Sequence, residues 1–169
     1  MCHVYLKTTM EIRHIGFELR IHETAASLSA TDSELLKSAT KALLGAYAPY
    51  SQFKVGAALQ LSSGECIIGS NQENACYPSG LCAERVAVFQ AGARYPNSVI
   101  QTLAIVARDA QNKLSIPAAP CGNCRQAIYE YEHKQGQPIR VLLQGGEGII
   151  YECPSIAALL PLGFDASFL

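Results

Sequence analysis

The chain has 169 residues, 49% hydrophobic and 16% charged, which suits one globular domain with a sizeable core and excludes a fibrous or disordered chain. Formal net charge is −1 and no run of Lys or Arg lines one face, so a nucleic-acid partner is not expected. No apolar stretch approaches the roughly 20 residues of a membrane span, and Met1 to Arg20 lacks a basic start followed by an apolar block, so the expectation is a cytoplasmic protein without a membrane partner.

Ile15, Phe17, Leu19 and Ile21 alternate with Gly16, Glu18 and Arg20, the period of a half-buried strand expected to edge a sheet or an interface. Thr31 and Glu34 form a capping-box pair, after which Leu35, Leu36, Ala39, Ala42, Leu43 and Ala46 recur at helical spacing until Pro49 stops the helix. Phe53 to Leu61 and Cys66 to Gln72 are apolar and β-prone on either side of Ser62-Ser63-Gly64-Glu65, which predicts a hairpin. Cys82 to Arg94 reads as a helix, Val99 to Arg108 as a strand, and Cys121 to Lys134 as a helix. Ile139 to Gln144 and Gly148 to Cys153 read as strands, and Ser155 to Leu160 as a short helix. The order αββαβαββα predicts a three-layer α/β/α fold, with a central mixed five-stranded sheet flanked by helices. Residues 1–28 form an N-terminal extension carrying the edge strand, and 29–169 a single domain.

Seven cysteines are present, and three of them fall in two motifs, Cys82-Ala83-Glu84 and Pro120-Cys121-Gly122-Asn123-Cys124. A lone C-x-x-C is a weak signal, but here a third Cys with a carboxylate two residues on joins it. Zinc that only staples a fold is usually closed by four protein ligands, whereas three leave a corner open for water. This pairing matches the general pattern of zinc nucleobase deaminases, with Cys where His is more frequent.

Both motifs sit at predicted helix starts, where the partial positive charge lowers a thiol's pKa, so all three cysteines are expected to ligate as thiolates. Three thiolates over-neutralise a divalent ion. Arg85 and Arg125, each adjacent to a motif, are therefore expected to donate hydrogen bonds toward the sulfurs. Glu84 is the candidate proton carrier, although a carboxylate in a helix first turn is often only a dipole partner. His3, His14, His22 and His133 lack ligand spacing and read as solvated or packed residues. Cys2, Cys66, Cys76 and Cys153 read as ordinary thiols of a reducing compartment.

The chain resembles the small, homotetrameric type of cytidine deaminase from about Ala46 to Phe168. The resemblance is carried by Ala46-Tyr47-Ala48-Pro49-Tyr50-Ser51-Gln52-Phe53 with Val55-Gly56-Ala57-Ala58, and by Asn71-Gln72-Glu73-Asn74-Ala75-Cys76-Tyr77-Pro78. Cys82-Ala83-Glu84-Arg85, Pro120 to Gln126, and Leu159-Leu160-Pro161 with Phe164 complete it in the same order. The resemblance implies one Zn2+ per subunit on Cys82, Cys121 and Cys124, with Glu84 as acid and base, and a pyrimidine nucleoside as the small-molecule partner. It also implies that Asn71 and Glu73 hold the ribose 3'-hydroxyl, that Phe53 packs on the pyrimidine, and that the Ala83 amide contacts the base. Phe164 is implied to reach into a neighbouring subunit's site. The activity implied is deamination of cytidine and 2'-deoxycytidine in pyrimidine salvage. Residues 1 to about 28 have no counterpart in this likeness.

Three rivals follow from the residues. A deaminase of a modified cytosine nucleoside or nucleoside antibiotic shares the metal motif, but the Asn71 and Glu73 pair speaks against it. A nucleic-acid editing enzyme needs basic or aromatic surface for a strand, and the chain has no Trp. A structural zinc module needs a fourth ligand, for which Cys66 or Cys76 would have to close the site.

Overall fold

The computed structural model describes residues 10–111, 114, 116–146 and 148–169; Cys2 and His3 lie outside them. Along the chain come β1 (Arg20–His22), α1 (Ala30–Ala42), β2 (Lys54–Leu61), β3 (Cys66–Ser70), α2 (Ala83–Arg94) and β4 (Ile100–Arg108). They are followed by α3 (Gly122–Gln135), β5 (Arg140–Gln144) and β6 (Ile150–Cys153). The strands form one six-stranded sheet in the order β1-β6-β5-β4-β2-β3. Only β4 and β5 run parallel, and α3 is the crossover that such a pair requires.

Strand alternation divides the core in two. Ala57, Leu59, Leu61, Leu103, Ile105, Val141 and Leu143 face one way and pack with Ala87, Val88 and Ala91 of α2 and Ile128 of α3. Their neighbours Ala58, Ala104, Val106 and Leu142 face the other way, against Leu35, Leu36, Ala39 and Leu43. The period of two thus produces the expected three layers, with α1 alone on one face.

The sixth strand is the N-terminal segment, and it is shorter than its pattern predicts. The expected strand from Ile15 to Ile21 is confined to Arg20–His22, paired antiparallel with Glu152, Tyr151 and Ile150. The physical reason is the partner: β6 has only four residues, so the pairing runs out and Ile15 and Phe17 stay exposed. Ion pairs reinforce this short ladder. Arg20 and His22 reach Glu152 at 3.3 and 2.8 Å, and Arg140 reaches the same carboxylate while contacting Asp32 of α1.

Two further boundaries differ from the expected ones. The cap of α1 is Ser29, not Thr31: the Asp32 amide donates to Ser29 Oγ at 3.1 Å, and the hydroxyl donates to Asp32 Oδ2 at 2.8 Å. Glu34 instead pairs with Lys37 on the exposed face. The helix also ends at Ala42 in a 3-10 turn, short of Ala46. The last expected helix, Ser155 to Leu160, is only a 3-10 turn over Ala157–Leu159.

Glu132 anchors the start of that turn. This buried carboxylate near the end of α3 accepts from the amides of Ile139 at 2.7 Å, Ile156 at 2.9 Å and Ala157 at 3.0 Å, tying α3, the entry to β5 and the C-terminal turn together. Gly136, at φ 63 in the left-handed region, then ends α3 and lets the chain turn back toward the sheet.

At β3 the backbone of α2 comes into direct contact with the sheet. A Cβ on Gly69 would sit 2.5 Å from the Ala83 carbonyl oxygen and 2.7 Å from the Ala87 nitrogen, so only glycine admits this approach.

Glu132→Ala orphans three amides at about 1–3 kcal/mol each, so a loss of roughly 3 kcal/mol or more is expected, read as a lowered urea midpoint. An unchanged midpoint would refute the bracing role.

Candidate active site

Helices α2 and α3 begin beside one another, and both start on a cysteine. Cys82 and Cys121 occupy the N-cap positions in extended backbone conformation, and neither side chain makes a capping hydrogen bond. A cap is normally Ser, Thr, Asp or Asn, whose oxygen turns back onto the helix amides. Cysteine there leaves the sulfur free for another use. The helices still close, through Val86 N–H to Cys82 O at 3.1 Å and Arg125 N–H to Cys121 O at 2.9 Å. Cys124, in the first turn of α3, is fully buried, and the three sulfurs lie within 4.8 Å of one another. Among the described residues this is the one His, Cys, Asp and Glu cluster with metal-ligand geometry, and neither Cys66 nor Cys76 joins it. The rival structural site with a fourth cysteine is therefore not formed.

Charges around the cluster favour a cation. The Cys82 thiol is lowered to about 5, chiefly by hydrogen bonding from Cys124 and further by Arg85, whereas Cys124 is raised by its bond to Cys82 and by burial. One thiolate is stabilised and a second is opposed, the electrostatics of a donor set that needs a positive ion to ionise fully. Arg85 donates from Nη2 to the Gly80 carbonyl at 3.3 Å, while its Nε is buried without a hydrogen-bond partner among the described residues. That orphaned donor beside Cys82 and Cys124 fits sulfurs that carry negative charge. The donor set is right for zinc, which takes three thiolates readily.

Arg125 does otherwise than expected. Its Nε donates to the Pro120 carbonyl and its Nη1 to the Leu159 carbonyl, both at 2.8 Å, so it braces the loop before α3 against the C-terminal turn. Two well-placed carbonyls hold the guanidinium, and its recorded hydrogen bonds do not go to the sulfurs.

Glu84 follows Ala83 in the first turn of α2, is only 4% exposed, and has its pKa raised to about 7, by burial first and then by the Cys82 charge. A carboxyl poised near neutrality beside a metal cluster can both take and give a proton. Ala83 is fully buried, and its amide, first in the helix, has no intrahelical acceptor.

A cleft of about 430 Å³ opens above the cluster, lined by Phe53, Asn71, Glu73, Cys82, Glu84, Arg85 and Cys121 among others. The structure thus brings together most of the residues singled out in the sequence. Asn71 is largely engaged already: its Oδ1 accepts from the Val55 amide at 2.8 Å, and its Nδ2 donates to the Phe53 carbonyl at 2.9 Å. One N–H remains for a ligand. Glu73 accepts from the amides of Tyr50 at 2.9 Å and Ser51 at 3.3 Å and from the Ser51 hydroxyl, the last being the main cause of its lowered pKa. Three of about four carboxylate lone-pair sites are taken, leaving room for one hydroxyl. Phe164 does not line this cleft; it is half-exposed and stacks on Phe168 at 5.4 Å. Sequence reasoning missed the wrap of Tyr50 and Ser51 around Glu73, since it spans 22 residues and has no periodic signal.

A family model described as the cytidine and deoxycytidylate deaminase zinc-binding region matches residues 29–136. The chain belongs to this family. A cytidine deaminase of Halalkalibacterium halodurans is 40% identical over 132 residues, covering 78% of this chain and 92% of the relative. One from Sporosarcina psychrophila is also 40% identical over 132 residues, with 78% and 90% covered. The crystal structure of cytidine deaminase from Burkholderia pseudomallei is 38% identical with a TM-score of 0.66, covering 78% of this chain and 97% of that one. The sulfur cluster and Glu84 fall within the matched residues, as do Phe53, Asn71, Glu73 and Arg85.

Replacing Cys82, Cys121 or Cys124 by Ala should remove bound metal and, because ligand binding is coupled to folding, lower the melting temperature as well. Cys66→Ala should retain both. Metal content by mass spectrometry checks this, and a metal-replete Cys121→Ala would refute the ligand set.

Proposed function

We propose that this chain is a cytidine deaminase that hydrolyses cytidine and 2'-deoxycytidine to the corresponding uridines with release of ammonia, in pyrimidine salvage. The observation that carries the reading is Glu84, buried and held near neutrality against three clustered cysteines at the base of a cleft with Glu73 and Asn71 in its wall. In this reading residues 29–169 are the catalytic domain, and 1–28 are an extension that adds β1.

Cys82, Cys121 and Cys124 would hold one zinc ion per chain, which would supply the Lewis acidity that makes water a nucleophile near neutral pH. Glu84 takes the proton from the water that attacks C4 and delivers it to N3. The same carboxyl then takes the proton of the new C4 hydroxyl and passes it to the exocyclic nitrogen, so that the C4–N bond breaks and ammonia leaves as the C4 carbonyl forms. A carboxyl with a pKa of about 7 is partly protonated at neutral pH and suits both directions of transfer. The Ala83 amide and the ring of Phe53 seat the base, and Arg85 withdraws charge from the thiolates.

The sugar is held by what the pocket leaves unfilled. Glu73 offers one remaining acceptor site and Asn71 one remaining donor, a complementary pair for a single hydroxyl, the ribose 3'-OH. A ligand without that hydroxyl leaves both groups unpaired. In the homotetramer we propose, Phe164 and its stacked partner Phe168 extend toward a neighbouring site. The cysteines among the described residues are free, which accords with the cytoplasm.

Glu84→Gln keeps the size of the side chain but cannot shuttle protons, so turnover should fall by at least about 10²-fold with zinc retained. Near-normal ammonia release would remove Glu84 from the mechanism. For the sugar, 2'-deoxycytidine should remain a good substrate, whereas 2',3'-dideoxycytidine and free cytosine should lose orders of magnitude in kcat/KM. Comparable turnover of cytosine and cytidine would overturn the nucleoside assignment.

A further inference from the structure

We propose that Ser51 is a positioning residue that couples the grip on the sugar to the seating of the pyrimidine ring. The proposal rests on the cytidine deaminase reading and concerns a residue with no role in it so far.

Ser51 Oγ has one proton, and it goes to Glu73 Oε1; the same oxygen accepts the Phe53 amide at 3.0 Å. A single hydroxyl therefore forms a relay, Phe53 N–H to Ser51 O–H to the Glu73 carboxylate, and hydrogen bonds in such a chain polarise one another. Its two ends are the group that faces the sugar and the residue whose ring faces the base.

The surrounding backbone holds the relay in place. Gln52 sits at φ 56, in the left-handed region that a side chain of this size rarely adopts, with its amide bonded to the Ala48 carbonyl at 3.1 Å. Backbone in that region persists only where surrounding bonds over-determine it. Here the Tyr50 and Ser51 amides converge on Glu73 while Phe53 is bonded on both sides, to Ser51 Oγ through its amide and to Asn71 Nδ2 through its carbonyl. Asn71 and Ser51 thus fix the Phe53 backbone from opposite sides, but only Ser51 also touches Glu73. Ser51 itself is exposed in the cleft wall, so no core packing holds it and its hydrogen bonds set its position.

The coupling separates Ser51 from Glu73 experimentally. 2',3'-Dideoxycytidine lacks the 3'-hydroxyl and reports ring seating, whereas 2'-deoxycytidine reports both subsites. Glu73→Gln, which removes the sugar contact and weakens one end of the relay, should lower kcat/KM for 2'-deoxycytidine by more than for the dideoxy substrate. Ser51→Ala should lower both, by about 10-fold or more for the dideoxy substrate and further for 2'-deoxycytidine, with bound zinc unaltered. Ser51→Thr, which keeps the hydroxyl, should restore both. A Ser51→Ala effect confined to 2'-deoxycytidine, or none at all, would overturn the coupling.

A turnover-independent readout distinguishes this proposal from the activity itself. In the unmodified protein the Phe53 amide proton resonance should follow the titration of the Glu73 carboxyl, and in Ser51→Ala, which keeps only the backbone bonds to Glu73, that response should shrink several-fold. Absence of ammonia release from cytidine would sink the activity reading; a Phe53 amide that follows Glu73 equally in both proteins would sink the relay.

Discussion

Because Gly69 has no side chain, the first turn of α2 lies directly on β3, and the rest of the active site is arranged from that contact. Cys82 and Glu84 flank Ala83, whose carbonyl faces Gly69, so the positions of one sulfur and of the buried carboxyl are set by a sheet strand and not by a flexible loop. The other two sulfurs come from α3, the crossover between the parallel strands β4 and β5. Helices α2 and α3 share one core with the inner face of the sheet, so their starts are held beside one another by common packing. Sites built on regular elements hold tighter geometry than sites on loops, and a proton transfer near a metal needs that.

The electrostatics of the site follow from the same placement. Hydrogen bonding from Cys124 and the nearby Arg85 stabilise a negative Cys82 sulfur, while burial acts the opposite way on Glu84 and keeps its proton available near neutral pH. Groups two residues apart thus differ in charge because one is hydrogen-bonded by a thiol and a guanidinium and the other is buried. Arg85 lies beside the cluster with its Nε buried. Arg125, similar in sequence context, has its guanidinium tied to the carbonyls of Pro120 and Leu159 and gives the region rigidity instead.

Local signals were the legible ones. The Cys spacing pointed to the sulfur cluster and to the buried Glu84 beside it because all four residues sit within a turn of two helix starts, and alternation in β2, β4 and β5 pointed to the layers. What depended on a distant partner was not legible. Ile15 to Leu19 alternate like a strand, but the four-residue β6 decides how far pairing extends. Thr31 and Glu34 look like a capping pair, yet Ser29 takes the cap because Asp32 bonds to it and also reaches Arg140 across the chain. Asn71 reads as a sugar ligand, whereas most of its amide is spent on the backbone of residues 53 and 55.

The three-residue β1 has a consequence for how the molecule meets other chains. A long, flat sheet margin offers a template on which a foreign strand can add, the route to fibrous association. On this side β1 covers β6, and the margin it presents in turn has only three paired positions, flanked by the guanidinium of Arg20. That is too short to template a stable ladder, and the Arg20 ion pair and the His22 hydrogen bond with Glu152 hold the strand down where backbone pairing alone would be weak. β1 thus acts as a selvedge, finishing that margin of the sheet with a ladder of three residues.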